Sequence, residues 1–263
     1  MDKEHIEELA KDPRFIPGIY NYCDRWCERC AFTSRCLNFE LSEEETSDPE
    51  ARDINNKVFW NKLNETLSVA MEMMREKAKE LGVDLDAMDS EETTKENERI
   101  REKAKEQPYC FAAKEYIGMV DDWFKANAER LEEKGDELVS QAQAGIPGIR
   151  PDVDAVRIND CLEVISWYKH QIYVKLCRAA TGILQTDPYE REFSMHDANG
   201  SAKVALIGIE RSMAAWAGLL MHFPDQEDDI LDLLVILKRL LPQVESTFPG
   251  ARSFQRPGLD TLH

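Results

Sequence analysis

The chain lacks the short motifs that identify the large nucleotide-binding and hydrolytic enzyme classes. No Gly-x-Gly-x-x-Gly, phosphate loop, Gly-x-Ser-x-Gly or His-Glu-x-x-His sequence occurs among its 263 residues. Such motifs place glycine where the backbone must approach a phosphate, or fix a nucleophile or metal ligand at one position. Their absence leaves dinucleotide, nucleotide, esterase and zincin functions without support from the sequence.

Long apolar runs and alternating strand patterns are absent as well. The most apolar stretch, 204–223, is interrupted by Glu210 and Arg211 and does not have the composition of a membrane span. No segment alternates apolar and polar residues over a length that would build a sheet. The first residues lack the basic start and apolar core of an export signal, so we expect a cytoplasmic protein without membrane contact.

Positive charge is scarce in this chain. Lys and Arg total 33 against 51 Asp and Glu, which gives a formal net charge of −18. Phosphate backbones and anionic membrane surfaces repel such a chain, so nucleic acid is not an expected partner. The acidic balance instead favours a protein partner with a basic surface, while the sequence leaves the oligomeric state open.

Apolar residues recur at helical spacing in every long segment. This pattern predicts an all-α protein: a multi-helix bundle with an N-terminal cysteine-rich metal-binding segment. We expect the metal-binding segment at 1–40, an acidic connector at 41–53, the helical bundle at 54–248 and a C-terminal tail along the surface at 249–263. Within the bundle, 83–107 carries many charges and few apolar residues, and we expect it to be exposed or mobile.

The periodicity also predicts individual helices, at about 53–81, 108–139, 152–185, 201–222 and 225–242. The helix from Ser201, which we expect to cap it, is the most apolar and is predicted to lie at the centre. Asp152 or Asp154 is expected to cap the helix before it. The first of these helices is predicted to bury one stripe of side chains, namely Trp60, Leu63, Leu67, Ala70, Met74 and Leu81.

Four of the seven cysteines lie in one short segment with the spacing C-x3-C-x2-C-x5-C. They are Cys23, Cys27, Cys30 and Cys36. Thiols clustered in a chain without an export signal bind metal more often than they form disulfides. A helix over 21–31 would place the first three on one stripe, and the fourth would fold back after a turn. We therefore predict that the four sulfurs hold one metal centre.

Both zinc and a 4Fe-4S cluster accept four thiolates. Structural zinc sites usually join two cysteine pairs across a dozen or more residues, whereas clusters often take several ligands from one tight run. The compact spacing therefore favours a 4Fe-4S cluster, with zinc as the alternative and reduced structural cysteines as a third interpretation. Arg25, Arg29 and Arg35 lie among the cysteines and are expected to lower the thiolate pKa values.

Residues 27–36 resemble the C-x2-C-x5-C end of the iron–sulfur nucleases found with CRISPR adaptation and helicase–nuclease complexes. The resemblance implies cluster ligation by the three cysteines of this stretch. It does not imply nuclease activity, since those nucleases have a distant upstream cysteine and an α/β catalytic core. Cys23, Cys27 and Cys30 also fit the radical S-adenosylmethionine signature, but those enzymes favour an aromatic residue where Arg29 stands and are similar to α/β barrels.

Glu163, His170 and Glu210 are the candidate catalytic residues of the predicted bundle. Carboxylates and imidazoles inside a bundle can hold two metal ions, although no Glu-x-x-His pair occurs here, and the same residues fit buried ion pairs. Two functions therefore stay open: a redox-responsive or metal-stabilised interaction protein, and an oxidoreductase that uses the cluster as an electron relay to this site. The absence of a catalytic motif favours the first.

The remaining histidine and cysteine candidates give weaker evidence of function. His196 and Asp197 fall in a predicted loop at 188–200, where they could act as an acid/base pair. Cys110, Cys161 and Cys177 lie on apolar helical faces and are predicted to be small core residues.

Overall fold

The computed structural model describes residues 3–45, 49–82, 91–185 and 191–260. These ranges are helical with no strand, which confirms the all-α class for the described part of the chain. Its helices are α1 (Lys3–Lys11), α2 (Leu37–Glu45), α3 (Lys57–Leu81), α4 (Glu91–Lys105), α5 (Pro108–Ala126), α6 (Ala128–Ala144), α7 (Pro151–Leu184), α8 (Arg191–Leu220) and α9 (Glu227–Thr247). None of them combines the length and apolar character that crossing a bilayer requires.

The chain divides into two compact units. The first contains Met1–Glu98 together with Gln255–His263, and the second contains Arg99–Phe254. The second unit therefore interrupts the first in the sequence, and the division falls within α4. The segment boundaries expected at 40, 53 and 248 remain a prediction.

Four helices of the second unit pack in a closed ring. Helix α8 packs along α7 and against α9, and α5 contacts both α7 and α9. The predicted centre is confirmed, because α8 buries the most residues of the four, among them the fully buried Leu206, Ile209 and Trp216. Removing each such side chain from water contributes about 1.5–3 kcal/mol.

Small residues set the distance between α7 and α8. A Cβ on Gly208 would lie 3.0 Å from Cδ1 of Tyr168, and a Cβ on Gly182 would lie 2.7 Å from the carbonyl oxygen of Ser194. Larger side chains at these positions would push the two helices apart. The expectation that small residues of the central helix permit close packing is confirmed at Gly208.

The predicted helix at 108–139 is interrupted in the structure. Helix α5 ends at Ala126 and α6 begins at Ala128. The buried side chain of Asn127 donates from Nδ2 to the carbonyl oxygen of Trp123 at 2.9 Å. An asparagine side chain that bonds the local backbone competes with helix continuation, which accounts for the break.

The predicted boundaries of the next two helices also differ from the structure. Helix α7 begins at Pro151, which occupies the first turn, so Asp152 and Asp154 lie inside that turn and do not cap it. Helix α8 begins at Arg191, so most of the predicted loop at 188–200 is helical and Ser201 is an interior residue. Burial of 198 and 200–202 within the unit favours the longer helix.

Helix α3 ends where predicted, at Leu81, but it begins at Lys57, later than the predicted start at about 53, and the predicted face is not buried. The side chain of Asn56 accepts from the backbone N–H of Val58 at 3.0 Å, and Gly82 ends the helix with a φ of 68°. The stripe expected in the core is exposed instead, with Trp60 at 49% and Leu67 at 52%. This prediction was wrong because, within the described residues, these side chains are exposed: α3 makes its main contacts with the turn at Pro49–Arg52.

The connector and the charged segment match their predictions in part. Helix α2 extends into the expected connector, whose residues 46–48 lie outside the described residues. In the expected exposed segment at 83–107, residues 83–90 also lie outside them. The rest forms α4, which is largely exposed but buries Ile100 and Ala104.

The C-terminal tail does not lie along the surface as expected. Ala251 and Phe254 are buried in the second unit. Gly258 is buried in the first unit with a φ of 70°, and a Cβ there would lie 2.8 Å from Ile16. Apolar contacts at both places hold the tail against the protein.

Candidate metal centre

The cysteine segment is a series of turns and not the helix expected at 21–31. Its regular structure consists of short 3-10 turns at Cys27–Arg29 and Thr33–Arg35. Arg25 has a φ of 57°, in the left-handed region that interrupts a right-handed helix. Beside it, Asp24 Oδ1 accepts from the backbone N–H of Trp26 at 3.3 Å, as in turns that aspartate stabilises.

These turns bring the four cysteines to one cavity of about 30 Å³. All four are free thiols, and each is partly buried. The cavity is lined by Ile19, Tyr20, Cys23, Asp24, Arg25, Trp26, Cys27, Cys30, Thr33, Cys36, Phe39 and Leu259. The sulfurs therefore share a small, mostly apolar enclosure, even though they are not arranged on a helical stripe.

The thiols do not yet form a closed ligand shell. Among the described residues, no group of three or more His, Cys, Asp or Glu side chains is arranged to hold a metal ion. Metal binding by this segment is therefore not confirmed by the geometry and remains a prediction. What the fold provides is four cysteines around one cavity.

The pKa of Cys27 reflects burial and the neighbouring thiols. Burial raises the pKa of Cys27, and the neighbouring Cys23, Cys36 and Cys30 raise it further. A thiolate at Cys27 thus loses hydration and meets other developing negative charges. The expectation that the arginines lower thiolate pKa values is wrong for this cysteine. A bound metal cation would compensate the lost hydration and the repulsion between the negative charges, because cysteines bind metal as thiolates.

Two of those arginines make contacts elsewhere. The guanidinium of Arg29 lies over the ring of Trp26, 4.1 Å from its centroid. Arg35 donates from Nε to the carbonyl oxygen of Arg14 at 3.5 Å. These contacts give Arg29 and Arg35 partners other than the thiols.

Backbone groups already contact two of the sulfurs. The N–H of Phe32 donates to Sγ of Cys30 at 3.4 Å, and Sγ of Cys23 donates to the carbonyl oxygen of Tyr20 at 3.6 Å. An N–H that points at sulfur stabilises a thiolate, and hydrogen bonds to sulfur tune the potential of iron–sulfur centres. The N–H of Phe32 would therefore stabilise a thiolate at Cys30.

The C-terminal residues complete the enclosure. Leu259 lines the cavity, and its neighbour Gly258 packs against Ile16. Arg256 donates to Oδ1 of Asp260 at 2.7 Å, which fixes this last turn. Sequence reasoning missed the contribution of this segment, because its contact with the cysteine segment joins distant parts of the chain.

The bundle candidates lie on exposed surface. Glu163 is exposed and accepts from Nδ2 of Asn159 at 2.6 Å, and His170 is also exposed. Glu210 forms a surface ion pair with Arg252 at 2.7 Å. The expectation of buried ion pairs is therefore wrong, and the charges stay at the surface, where hydration is retained.

The expected acid/base pair before the central helix is engaged in other contacts. Asp197 accepts from Nε of Arg178 at 2.9 Å, while the ring of His196 lies 4.8 Å from that of Phe254. Both residues belong to α8 and not to a loop.

The remaining cysteines are only partly in the core. Cys110 is fully buried as predicted, but Cys161 and Cys177 are partly exposed. Interaction with Cys110 lowers the pKa of Cys177 to about 7, an effect that spacing along the chain could not reveal.

Comparisons with protein-family models, with curated proteins and with solved structures gave no match to this chain.

Proposed function

We propose that this chain is a metal-centred interaction protein in which Cys23, Cys27, Cys30 and Cys36 hold one 4Fe-4S cluster. The observation that carries the proposal is the presence of four free thiols around one cavity. The compact ligand spacing supports a cluster, which would supply one-electron redox chemistry when bound. The protein would then respond to oxidation by changing the order of the segment that the cluster organises.

Zinc is the second candidate because of the volume of the cavity. At about 30 Å³, the enclosure has space for one or two water-sized groups, which is closer to the size of a single ion than to that of an eight-atom cluster. Zinc would give a structural crosslink without redox chemistry.

Metal and sulfide analysis after anaerobic purification tests this proposal. We expect iron and acid-labile sulfide in the wild-type protein, and loss of both in Cys27→Ser and Cys30→Ser. Cys161→Ser is the matched control and should retain the wild-type content. Stoichiometric zinc without sulfide would show that the four cysteines form a structural zinc site and not a cluster. Metal-free, fully folded protein would refute the metal centre.

The interaction role is supported by the exposed side of α3. Trp60, Leu67, Met74 and Leu81 recur every seven residues and are 49%, 52%, 57% and 68% exposed. A continuous apolar stripe of this kind is typical of surfaces that bind another protein. The net charge of −18 favours a partner with a basic surface.

Affinity purification with stripe variants tests the interaction. We expect a basic partner to be retained in stoichiometric amount by the wild-type protein and lost with Leu67→Glu combined with Met74→Glu. The control is Met221→Glu, which places the same charge at a side chain that is 83% exposed outside α3. A partner bound equally by all three proteins would rule out the stripe as the contact surface.

An oxidoreductase with a site near Glu163, His170 and Glu210 remains the alternative proposal, and their surface positions give it no support. His170→Ala and Glu210→Gln separate the two functions. Loss of a cluster-dependent electron transfer in folded, metal-loaded protein would favour the enzyme. Unchanged electron transfer would exclude a catalytic role for these side chains.

A further inference from the structure

A second recessed surface lies in the unit formed by 99–254, between α5 and α9. Helices α5 and α9 pack against each other, and residues of both form the walls of a cavity of about 270 Å³. The cavity is lined by Met119, Asp122, Trp123, Ala126, Asn127, Asp229, Asp232 and Leu233. It belongs to the bundle and shares no lining residue with the cavity of the cysteine segment.

Three carboxylates of this cavity lack a counter-ion. Asp122, Asp229 and Asp232 are exposed, and within the described ranges no ion pair or hydrogen bond engages their side chains. The first turn of α9 favours a negative charge at Asp229, but Asp122 lies close to the C-terminal end of α5, where the helix dipole opposes one. The negative charge of the cavity is therefore uncompensated, and a bound cation would stabilise it.

A buried donor at the same cavity also lacks a partner. Trp123 is 5% exposed, and its Nε1 is buried without a hydrogen-bond acceptor among the described residues. The ring packs edge-on against that of Trp216 with centroids 4.9 Å apart, and Nδ2 of Asn127 donates to the carbonyl oxygen of Trp123 at 2.9 Å. An unpaired N–H in so buried a side chain is costly, and an oxygen that accepts from it would remove the cost. The cavity thus suits a ligand that carries both a cation and an acceptor oxygen.

The recess continues into an adjoining cavity of about 280 Å³. The two cavities share Ala126 and Asn127, and the second is lined also by Glu129, Arg130, Glu133 and Gln226. Among the described residues of both linings the one cation is Arg130, which forms an ion pair with Asp225. An extended chain with several positive charges would therefore meet carboxylates along the whole recess.

We propose that the lysine-binding groove, formed by the lining of these two cavities, holds a lysine side chain of a basic protein partner, with a backbone carbonyl of that partner accepting from Trp123. Three carboxylates around one space match the three N–H donors of an ammonium, whereas a guanidinium presents its donors in one planar fork. The methylene stem of lysine would lie along Met119, Ala126 and Leu233 while the ammonium meets the carboxylates. The existence of a basic partner rests on the proposed function, to which the groove adds a contact separate from the stripe on α3.

Isothermal titration calorimetry of the purified full-length protein tests the groove. The probe is a trilysine peptide with blocked ends, and the matched control peptide carries norleucine in place of lysine, which keeps the apolar stem and removes the charge. We expect the lysine peptide to bind at about 0.15 M salt, where surface charges are screened, and the norleucine peptide not to bind. A triarginine peptide should bind more weakly than trilysine, because its donors do not match the three carboxylates.

Two double variants separate the groove from the net charge of the chain. Asp229→Asn combined with Asp232→Asn should weaken binding of the lysine peptide at least about tenfold, since two of its three acceptors lose their charge. Asp136→Asn combined with Asp152→Asn removes the same number of charges from exposed positions that line neither cavity. This control should change the affinity by less than about twofold, because distant surface charges are screened.

The indole N–H signals give a readout that charge alone does not produce. In ¹H–¹⁵N spectra the lysine peptide should move the Nε1–H signal of Trp123 downfield, with the signal assigned by its loss in Trp123→Phe. The Nε1–H of Trp216 already donates to Tyr116 and should move less.

The proposal is overturned if the lysine and norleucine peptides bind alike to the wild-type protein, or if trilysine binds no more tightly than triarginine. It is also overturned if both double variants weaken binding equally, or if the Trp123 signal stays in place at saturating peptide. The peptide comparisons need only the wild-type chain, so a variant that fails to fold does not prevent a decision. Failure of the stripe on α3 to capture a partner would refute the proposed function without altering these titrations, so the two failures are distinguishable.

Discussion

The hydrogen bond between Trp216 and Tyr116 in the core of the bundle gives the sharpest stability prediction. Nε1 of Trp216 donates to Oη of Tyr116 at 2.9 Å, and both side chains are fully buried. Tyr116→Phe keeps the ring and its packing but removes the acceptor. The indole N–H is then buried without a partner, which costs about 1–3 kcal/mol.

The same substitution at Tyr109 provides a matched control. Tyr109 lies on the same helix and is 4% exposed, but its hydroxyl has no hydrogen-bond partner among the described residues. Its ring packs edge-on against Phe248 with centroids 5.6 Å apart, a contact that Phe retains. Tyr109→Phe should leave the free energy of unfolding within about 0.5 kcal/mol of the wild type or raise it, since a buried unpaired hydroxyl is lost.

Urea unfolding followed by circular dichroism at 222 nm measures both variants. For a unit of roughly 150 residues, a loss of about 2 kcal/mol at Tyr116→Phe corresponds to a fall in Tm of about 4–8 °C. The urea dependence of the free energy should stay unchanged, because neither substitution alters the surface exposed on unfolding. Equal losses in Tyr116→Phe and Tyr109→Phe would refute the reasoning from hydrogen-bond satisfaction.

Three further predictions concern single residues. Gly258→Ala should lower metal retention and the thermal stability of the first unit, because its φ is 70° and a Cβ would lie 2.8 Å from Ile16; unchanged iron or zinc content would contradict this. Alkylation of Cys177 by iodoacetamide should rise with pH through a midpoint at about 7, as its lowered pKa requires, while Cys161 with its raised pKa should reach half its maximal rate only at higher pH. Leu67→Gln should change the free energy of unfolding by less than about 0.5 kcal/mol, since the side chain is 52% exposed. A loss of several kcal/mol in urea unfolding would show instead that Leu67 is buried in a core.

Helical class and the central helix could be predicted because the signal for them is local. Apolar residues at helical spacing identified α7 and α8, and the composition of α8 indicated burial on most of its surface. The break at Asn127 could not be predicted, because a single side-chain hydrogen bond to Trp123 outweighs a helical pattern that continues on both sides.

The same local signal failed for α3. A periodic apolar stripe shows that one face of a helix avoids water, but it does not say what covers that face. Leu67 and Met74 were therefore predicted to be core residues, and the structure leaves them exposed. Whether a stripe packs inside the chain or against another molecule depends on the tertiary arrangement, which spacing does not contain.

The candidate site shows the same limit. Clustering in the sequence was sufficient to group the four N-terminal cysteines, although the helix expected to present them is replaced by turns around Arg25. No pattern in the sequence connects Cys110 to Cys177, whose thiols interact electrostatically across the packed helices α5 and α7. Contacts between distant positions became visible only in the fold.

The first unit is built from both ends of the described chain, and this has a consequence for its synthesis. Ile16 and Ile19 leave the ribosome before the bundle, whereas Gly258 and Leu259, which complete their surroundings, leave it only after the whole bundle. The bundle can fold as a unit before Gly258 and Leu259 are available to contact the cysteine segment. Metal delivered during translation would therefore meet an open set of thiols, and the enclosure would close around it only after residues 255–260 had emerged.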